Sequence, residues 1–552
     1  MRGLSVAIAC VFVIGAVPRA QNTNVVIQPP TVSGPIAMTT PLRSPDHGYP
    51  YNATPIDLAK QGYVEEEFFL SGEANRYSTP AGARGAVLDT NHSYTTRIVV
   101  RRPKSAARFT GTAIVEWYNV SQGHDGEFEW FQAYDHLLRS GFAWIGVSAQ
   151  AVGVNALKEW SPARYAALDV ARGGTIQADA LSYDIFSQAA LAVRGKGTRD
   201  VMGGLRVQRV IATGHSQSAG RLYTYFHSVH PLTSKMYDAV VLHGGGGRVS
   251  PDLNVKVLKY LDESDVIGQA NNRVADSAGY RQWEIAGSSH LDAQFSRSLA
   301  ALGLRVSGMR PVEGSPAIAG PSISGGEKGN GAAGNGAGPE NEGPNGGCAQ
   351  PPFSRVPSYH VLGAAFDAVH RWLTDGVLPP SAPPIELKQL PPDTSASADA
   401  ARGRGGPSTP RGTGASTSLG TSPSTALGAG RGPAGPRWDI VRDDLGLARG
   451  GIRLAAMAAP IAKNTGDNIG SAGANATGER NCRLMGSSEP FDSTRLASLY
   501  PTHDAYVAKV REATEKLLKG GFIDKVDAEQ TIREAEKSAV GRTPTATASA
   551  RR

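Results

Sequence analysis

The chain lacks the short motifs by which metal and redox proteins are read. Its three cysteines among 552 residues form no Cys-x-x-Cys pair, His-Glu-x-x-His does not occur, and no Gly-rich loop ends in a P-loop Lys. Neither a metal nor a cofactor is therefore expected. No apolar run reaches the roughly 18 residues that a membrane-spanning helix needs. Basic charge is also scarcer than the total suggests. Lys and Arg number 56 against 49 Asp and Glu, a net charge of +7. Arg2 and Arg19, however, stand in the first 20 residues, and positions 396–437 hold five Arg against one Asp. Setting these aside leaves about +1 for the rest, which is no footprint for a polyanion, so nucleic acid is not an expected partner.

Glycine and proline are in excess, with 66 Gly and 36 Pro, and the excess concentrates in two stretches, 311–347 and 395–437. Neither stretch can bury enough apolar surface to offset its ordering entropy, so both are expected to be low-complexity inserts. The remainder, in a chain that is 40% hydrophobic and 7% aromatic, has ample material for a large core.

Residues 1–20 read as a secretory leader: Met1 and Arg2, an apolar run over 4–17, then Pro18-Arg19-Ala20. Cleavage is expected after Ala20, giving a secreted or periplasmic protein with no membrane span. Cys10 would leave with the leader. Cys348 and Cys482 then remain as two thiols in an oxidising compartment, and a disulfide between them is expected.

Within the body at 21–310, eight strand-like runs alternate with helical patterns, as in a doubly wound sheet. They fall at 65–76, 94–101, 112–117, 143–147, 209–212, 239–243, 255–261 and 282–285. The first two alternate charged and apolar residues, as solvent-faced antiparallel strands do; the later ones are short and apolar, as buried parallel strands are. Helices are expected around 183–193 and after 216. Segment 348–394 offers a core-packing helix over 359–375 followed by a Pro-rich stretch. The part at 438–540 places Tyr506, Val510, Ala513 and Leu517 on one helix face, stops at Gly520-Gly521 and resumes from Asp527. It should pack on the same core as a helical extension, leaving 541–552 as a disordered tail.

The run Arg209-Val210-Ile211-Ala212-Thr213-Gly214-His215-Ser216-Gln217-Ser218-Ala219-Gly220 has the form of a nucleophile elbow: a strand, a tight turn centred on Ser216, and a helix start. Gly214 fits the close strand-helix approach, while Ser218 replaces the usual second glycine. A serine hydroxyl needs a base and an orienting acid, in the chain order Ser, acid, His. The seventh run leads into Asp262-Glu263-Ser264-Asp265 and the eighth into Gly287-Ser288-Ser289-His290, so both groups arrive at the same sheet edge. Asp265 is the preferred acid and Glu263 the alternative. The oxyanion needs two backbone donors, one from Gln217 and one from the loop after the third run, where Asn119 and Tyr118 both remain open. Gly244-Gly245-Gly246-Gly247 lacks dinucleotide spacing and reads as a close-packed turn beside the site. His124 and Asp125 read as solvated loop polarity.

These segments, together with Val115-Glu116-Trp117-Tyr118-Asn119-Val120-Ser121, Gly146-Val147-Ser148-Ala149-Gln150, Ser182-Tyr183-Asp184-Ile185-Phe186-Ser187-Gln188, Gly450-Gly451-Ile452-Arg453-Leu454, Cys482-Arg483-Leu484-Met485-Gly486 and Leu499-Tyr500-Pro501-Thr502-His503, resemble the α/β-hydrolase domain-containing family of bacterial proteins. The resemblance spans residues 60–300 and 348–535. That family usually carries Glu where His215 stands and lacks such long inserts. The resemblance implies an α/β-hydrolase fold: an eight-stranded, mostly parallel sheet with an antiparallel start, a C-terminal helical extension and two low-complexity inserts. The expected activity is cleavage of a small carboxylic ester through Ser216, His290 and Asp265. The rival reading is a non-catalytic hydrolase-like binding protein.

Overall fold

The computed structural model describes residues 25–305, 347–391 and 436–542. The expected leader, almost all of both expected inserts and all but the first two residues of the expected tail lie outside the described residues. A nine-stranded sheet organises the chain: β1 (Thr31–Ser33), β2 (Tyr63–Tyr77), β3 (Val87–Pro103), β4 (Thr112–Trp117), β5 (Ala143–Val147), β6 (Arg209–His215), β7 (Ala239–His243), β8 (Lys256–Asp262) and β9 (Tyr280–Ile285). Their spatial order is β1-β2-β3-β5-β4-β6-β7-β8-β9. Pairing is antiparallel from β1 through β3 to β5 and parallel from there to β9. This is the α/β-hydrolase fold. The eight expected runs are β2 to β9; β1, three residues paired to Phe69–Ser71 of β2, is an addition.

The parallel strands are nearly all apolar because both faces are covered. Side chains alternate between two cores: Val210 and Ala212 enter one, Ile211 the other. On the first face pack the helices Ala151–Trp160 and Ser182–Val193. On the second lie Phe128–Ser140, Ala293–Arg305 and Ser358–Thr374. The last presents Val361, Ala365, Val369 and Trp372, all buried, at the spacing that predicts it.

The charged alternation of β2 and β3 is not a solvated face, and this corrects the sequence reading. Arg97, Arg101 and Glu67 have fully buried side chains. Arg101 Nη1 lies 2.6 Å from Glu127 and its Nε 2.7 Å from Glu65, with the guanidinium 4.4 Å and 4.5 Å from the ring centres of Trp130 and Trp144. Arg97 meets Glu67 at 3.3 Å and Asp125 at 3.7 Å. Asp125 also accepts from Ser148 Oγ at 2.5 Å. Its expected exposure is likewise overturned, since paired charges can be buried where hydrogen bonds satisfy them.

The C-terminal extension joins the sheet directly. Ile452 bridges Ile285 in parallel, its N–H donating to the Glu284 carbonyl at 2.7 Å. The helices His503–Gly520 and Lys525–Lys537 follow. Gly521, at φ 75°, ends the first of them by supplying the left-handed residue an L side chain resists. Leu517, Ile523 and Ala528 enter the second core, and Arg139 reaches Asp524 and Asp527 at 2.7 Å each. Cys348 and Cys482 form a disulfide with Cα atoms 5.6 Å apart. Among the described residues no helix is long and apolar enough to cross a membrane.

Candidate active site

At the C-terminal end of β6 the chain turns through Ser216 into the helix Gln217–Thr224. Ser216 has φ 60° and ψ −114°, a strained conformation for a residue with a Cβ, costing of the order of 1–3 kcal/mol. The surroundings hold it there. Its N–H donates to the His243 carbonyl at 2.8 Å, and its carbonyl accepts from Gly220 N–H at 3.1 Å. A Cβ on Gly214 would lie 3.0 Å from both Leu222 Cδ1 and Ser218 Oγ, so the small residue is required by close approach. Ser218 departs from the usual glycine with a use for its hydroxyl, which donates to the His215 carbonyl at 2.9 Å.

Two strands further, β8 ends at Asp262, which caps the helix Glu263–Gln269 in a reciprocal capping box with Asp265. Asp265 Oδ2 accepts the Asp262 N–H at 3.1 Å. That leaves Oδ1 aimed at the loop after β9, where it lies 2.7 Å from His290 Nδ1. Both side chains are nearly buried, 4% exposed for His290 and 7% for Asp265. The His290 N–H donates to Ser264 Oγ at 2.8 Å, which fixes the loop.

Glu263, the alternative acid, turns elsewhere. It accepts from Gly287 N–H at 2.5 Å and Gly466 N–H at 3.1 Å and lies 3.0 Å from Arg442 Nη2. Burial raises its pKa, against the Arg442 charge and the two N–H groups. It ties the His290 loop to the C-terminal extension.

The structure thus brings Asp265 and His290 together and sets Ser216 at the same edge; among the described residues no hydrogen bond joins Ser216 Oγ to His290. Free hydrolases often have this contact loose, and it tightens with substrate bound. The Gly244–Gly247 turn packs closely against both residues. A Cβ on Gly244 would lie 2.9 Å from His290 Cε1, and one on Gly245 would lie 2.7 Å from the Ser216 carbonyl.

Gln217 occupies the first position of its helix, where N–H groups lack intrahelical partners. The Tyr118 N–H donates to the Val147 carbonyl at 3.3 Å and the Asn119 N–H to the Gly126 carbonyl at 3.1 Å. Both backbone donors considered from sequence are therefore engaged. Asn119 still reaches the elbow through its side chain, Nδ2 donating to the His215 carbonyl at 2.8 Å.

A polar network beside the elbow escaped the sequence reading. Gln150 Oε1 accepts from Trp117 Nε1 at 3.0 Å and Gln217 Nε2 at 3.1 Å. Asp179 accepts from Gln150 Nε2 at 3.1 Å, Ala151 N–H at 2.9 Å and Arg221 at 2.8 Å. The Gly146 to Gln150 segment that carries the resemblance was the available signal.

Beneath the elbow lies a second unforeseen group, a row of three imidazoles. His215 packs 4.2 Å from His290 and 4.1 Å from His243, centre to centre. Burial, with the two neighbouring imidazoles, pushes the His215 pKa well below its ordinary value. His243 lies between Asp262 Oδ2 at 3.1 Å and Glu129 Oε1 at 3.3 Å. Burial would lower its pKa, but Glu129 and Asp262 together raise it to about 10.

A family match agrees with this architecture. The family described as "Alpha/beta hydrolase domain" matches residues 32–533. No curated protein matches the chain. Among solved structures, a Xanthomonas campestris protein described as an a/b serine hydrolase without lid is 14% identical, with a TM-score of 0.25, covering 43% of this chain and 94% of its own. An alpha-beta serine hydrolase homologue from Coxiella burnetii is 11% identical, with a TM-score of 0.23, covering 39% and 93%.

Proposed function

The chain belongs to the alpha/beta hydrolase domain family, and from that premise we propose that it is a serine hydrolase cleaving a small carboxylic ester. The observation that carries this reading is the 2.7 Å pairing of Asp265 with His290 at the edge where Ser216 sits on a strained elbow. Asp265 fixes the tautomer with the proton on Nδ1, leaving Nε2 free to accept the Ser216 proton. Ser216 Oγ then attacks the ester carbonyl. The tetrahedral oxyanion receives the Gln217 N–H and the remaining N–H of Asn119 Nδ2. His290 returns the proton to the alcohol as it leaves, and water hydrolyses the acyl-enzyme by the same steps. Gln150 holds the Gln217 side chain, and Asp179 holds Gln150, so the oxyanion side of the elbow is braced from a neighbouring loop.

Ester is preferred over amide on the fold class alone, which is an analogy. Export to an oxidising compartment is part of the proposal, supported by the leader pattern and by the disulfide. Labelling with a fluorophosphonate tests the chemistry: the probe should bind Ser216 in the wild type and not in His290→Ala. Absence of labelling in the wild type would favour the binding-protein reading.

A further inference from the structure

Four buried side chains meet under the elbow with unmet polar atoms: both ring nitrogens of His215, Asp262 Oδ1 and Glu129 Oε2 have no partner, and His243 Nδ1 and Glu129 Oε1 have only each other, at 3.3 Å. All four residues are at most 1% exposed. A buried polar atom left unmatched costs of the order of 1–3 kcal/mol, so a cluster of them calls for an occupant that satisfies several at once. His215, His243 and Asp262 each bring one ligand atom, and the three atoms lie within 4.8 Å of one another.

We propose that His215, His243 and Asp262 form a binding site for a divalent transition-metal ion, with zinc the best match. Two imidazole nitrogens and a carboxylate are a borderline donor set that suits zinc better than calcium or magnesium. In a tetrahedron with bonds of about 2.0 Å, ligand atoms stand about 3.3 Å apart. His243 Nε2 and Asp262 Oδ2 are already at 3.1 Å, and the other edges, none longer than 4.8 Å, close by at most about 1.5 Å to reach that spacing. The outer layer also fits. The other nitrogen of His243 faces the Glu129 carboxylate at 3.3 Å, which is the carboxylate-histidine arrangement that orients metal ligands. The unmatched Asp262 Oδ1 or a water completes the coordination. On binding, the ion takes the Nε2 lone pair of His243, and any proton held there leaves to solvent.

These ligands come from the ends of β6, β7 and β8, adjacent strands in the sheet, so no short motif announces them. The ion would sit behind His215, whose ring packs on His290, and would serve as a floor under the active-site loop without touching substrate.

The test uses the full chain, stripped with a chelator and titrated with zinc and separately with cobalt. The wild type should bind about one ion per chain, melt higher when loaded, and give the visible bands of tetrahedral cobalt. Two variants keep the result independent of folding. His215→Phe retains a ring in the row and removes two unmatched nitrogens, so the metal-free protein should melt no lower than the metal-free wild type while metal binding falls at least tenfold. Asp262→Asn retains a good helix cap and should weaken binding similarly. A wild type that takes up no zinc and shows no shift in melting temperature overturns the site, as does full stoichiometry in folded His215→Phe. Because the readouts are metal content, spectrum and melting, they are separate from ester hydrolysis and from fluorophosphonate labelling.

Discussion

Asp265 Oδ1 stands 2.7 Å from His290 Nδ1 while Oδ2 of the same carboxylate accepts the Asp262 N–H at 3.1 Å. The helix cap therefore aims the acid. Glu263, two residues earlier on the same short helix, faces Gly287, Gly466 and Arg442 instead, so the two neighbouring acids make separable predictions. Asp265→Asn keeps an oxygen for the Asp262 N–H and should leave the melting temperature nearly unchanged. It should lower kcat for an aryl ester a hundredfold or more, because it no longer selects the productive His290 tautomer. Glu263→Gln should cost about 1–3 kcal/mol of stability through lost charge-assisted hydrogen bonds, with kcat within tenfold of wild type. Melting curves and kinetics on the two variants decide it: if Glu263→Gln is the catalytically crippled one, the roles exchange.

Ser216→Ala should abolish ester hydrolysis, with a loss on the order of a thousandfold or more. The Ser216 backbone is held by the His243 carbonyl and the Gly220 N–H, neither of which needs the hydroxyl, so melting should shift by no more than a degree or two. Steady-state rates and a melting curve on one preparation check both halves. A variant retaining a tenth of the wild-type rate would remove Ser216 from the reaction.

What could be read from the sequence was local. The elbow is a strand, a turn and a helix in twelve consecutive residues, and the positions of Asp265 and His290 follow from counting strands to a shared edge. The three-residue β1 carries no periodicity to read. The buried charges of β2 and β3 escaped because alternation looks the same whether the polar face meets water or meets counter-charges, and Arg97 and Arg101 find theirs partly in Asp125 and Glu127, beyond their own hairpin. The imidazole row escaped for the same reason. His215 stands in the sequence as the filler of a serine motif, His243 as the end of an apolar run, and Asp262 as the residue after another, and only the parallel order of β6, β7 and β8 makes them neighbours.

Reduction should loosen the part of the extension around the disulfide before it touches the site. The bridge closes a sequence separation of 134 residues between Cys348 and Cys482, for which chain-entropy arithmetic gives about 4–5 kcal/mol as an upper figure. Thiol titration of the denatured, unreduced protein made without residues 1–20, and so without Cys10, should find no free thiol, and Cys348→Ser/Cys482→Ser should melt lower while still reacting with a fluorophosphonate. Two free thiols per chain would refute the pairing.

The dock between the sheet body and the last helix should respond to alkaline pH through His136. Its Nδ1 lies 3.2 Å from Asp524 and its Nε2 3.1 Å from Asp367, and serving two carboxylates requires both nitrogens to carry protons. Burial opposes the charge, but the bonds to Asp367 and Asp524 raise the pKa to about 9, above an unfolded value of about 6.5. With the folded value the higher, the unfolded chain releases this proton first as pH rises. The contribution is therefore complete below about pH 6.5 and disappears as pH climbs through about 9. Urea unfolding across that window should show wild-type stability falling with pH, by at most about 3 kcal/mol from this group. His136→Gln retains hydrogen bonding without a titratable proton and should flatten the slope there. Equal slopes in the two proteins would show that His136 does not carry the charge that holds the extension.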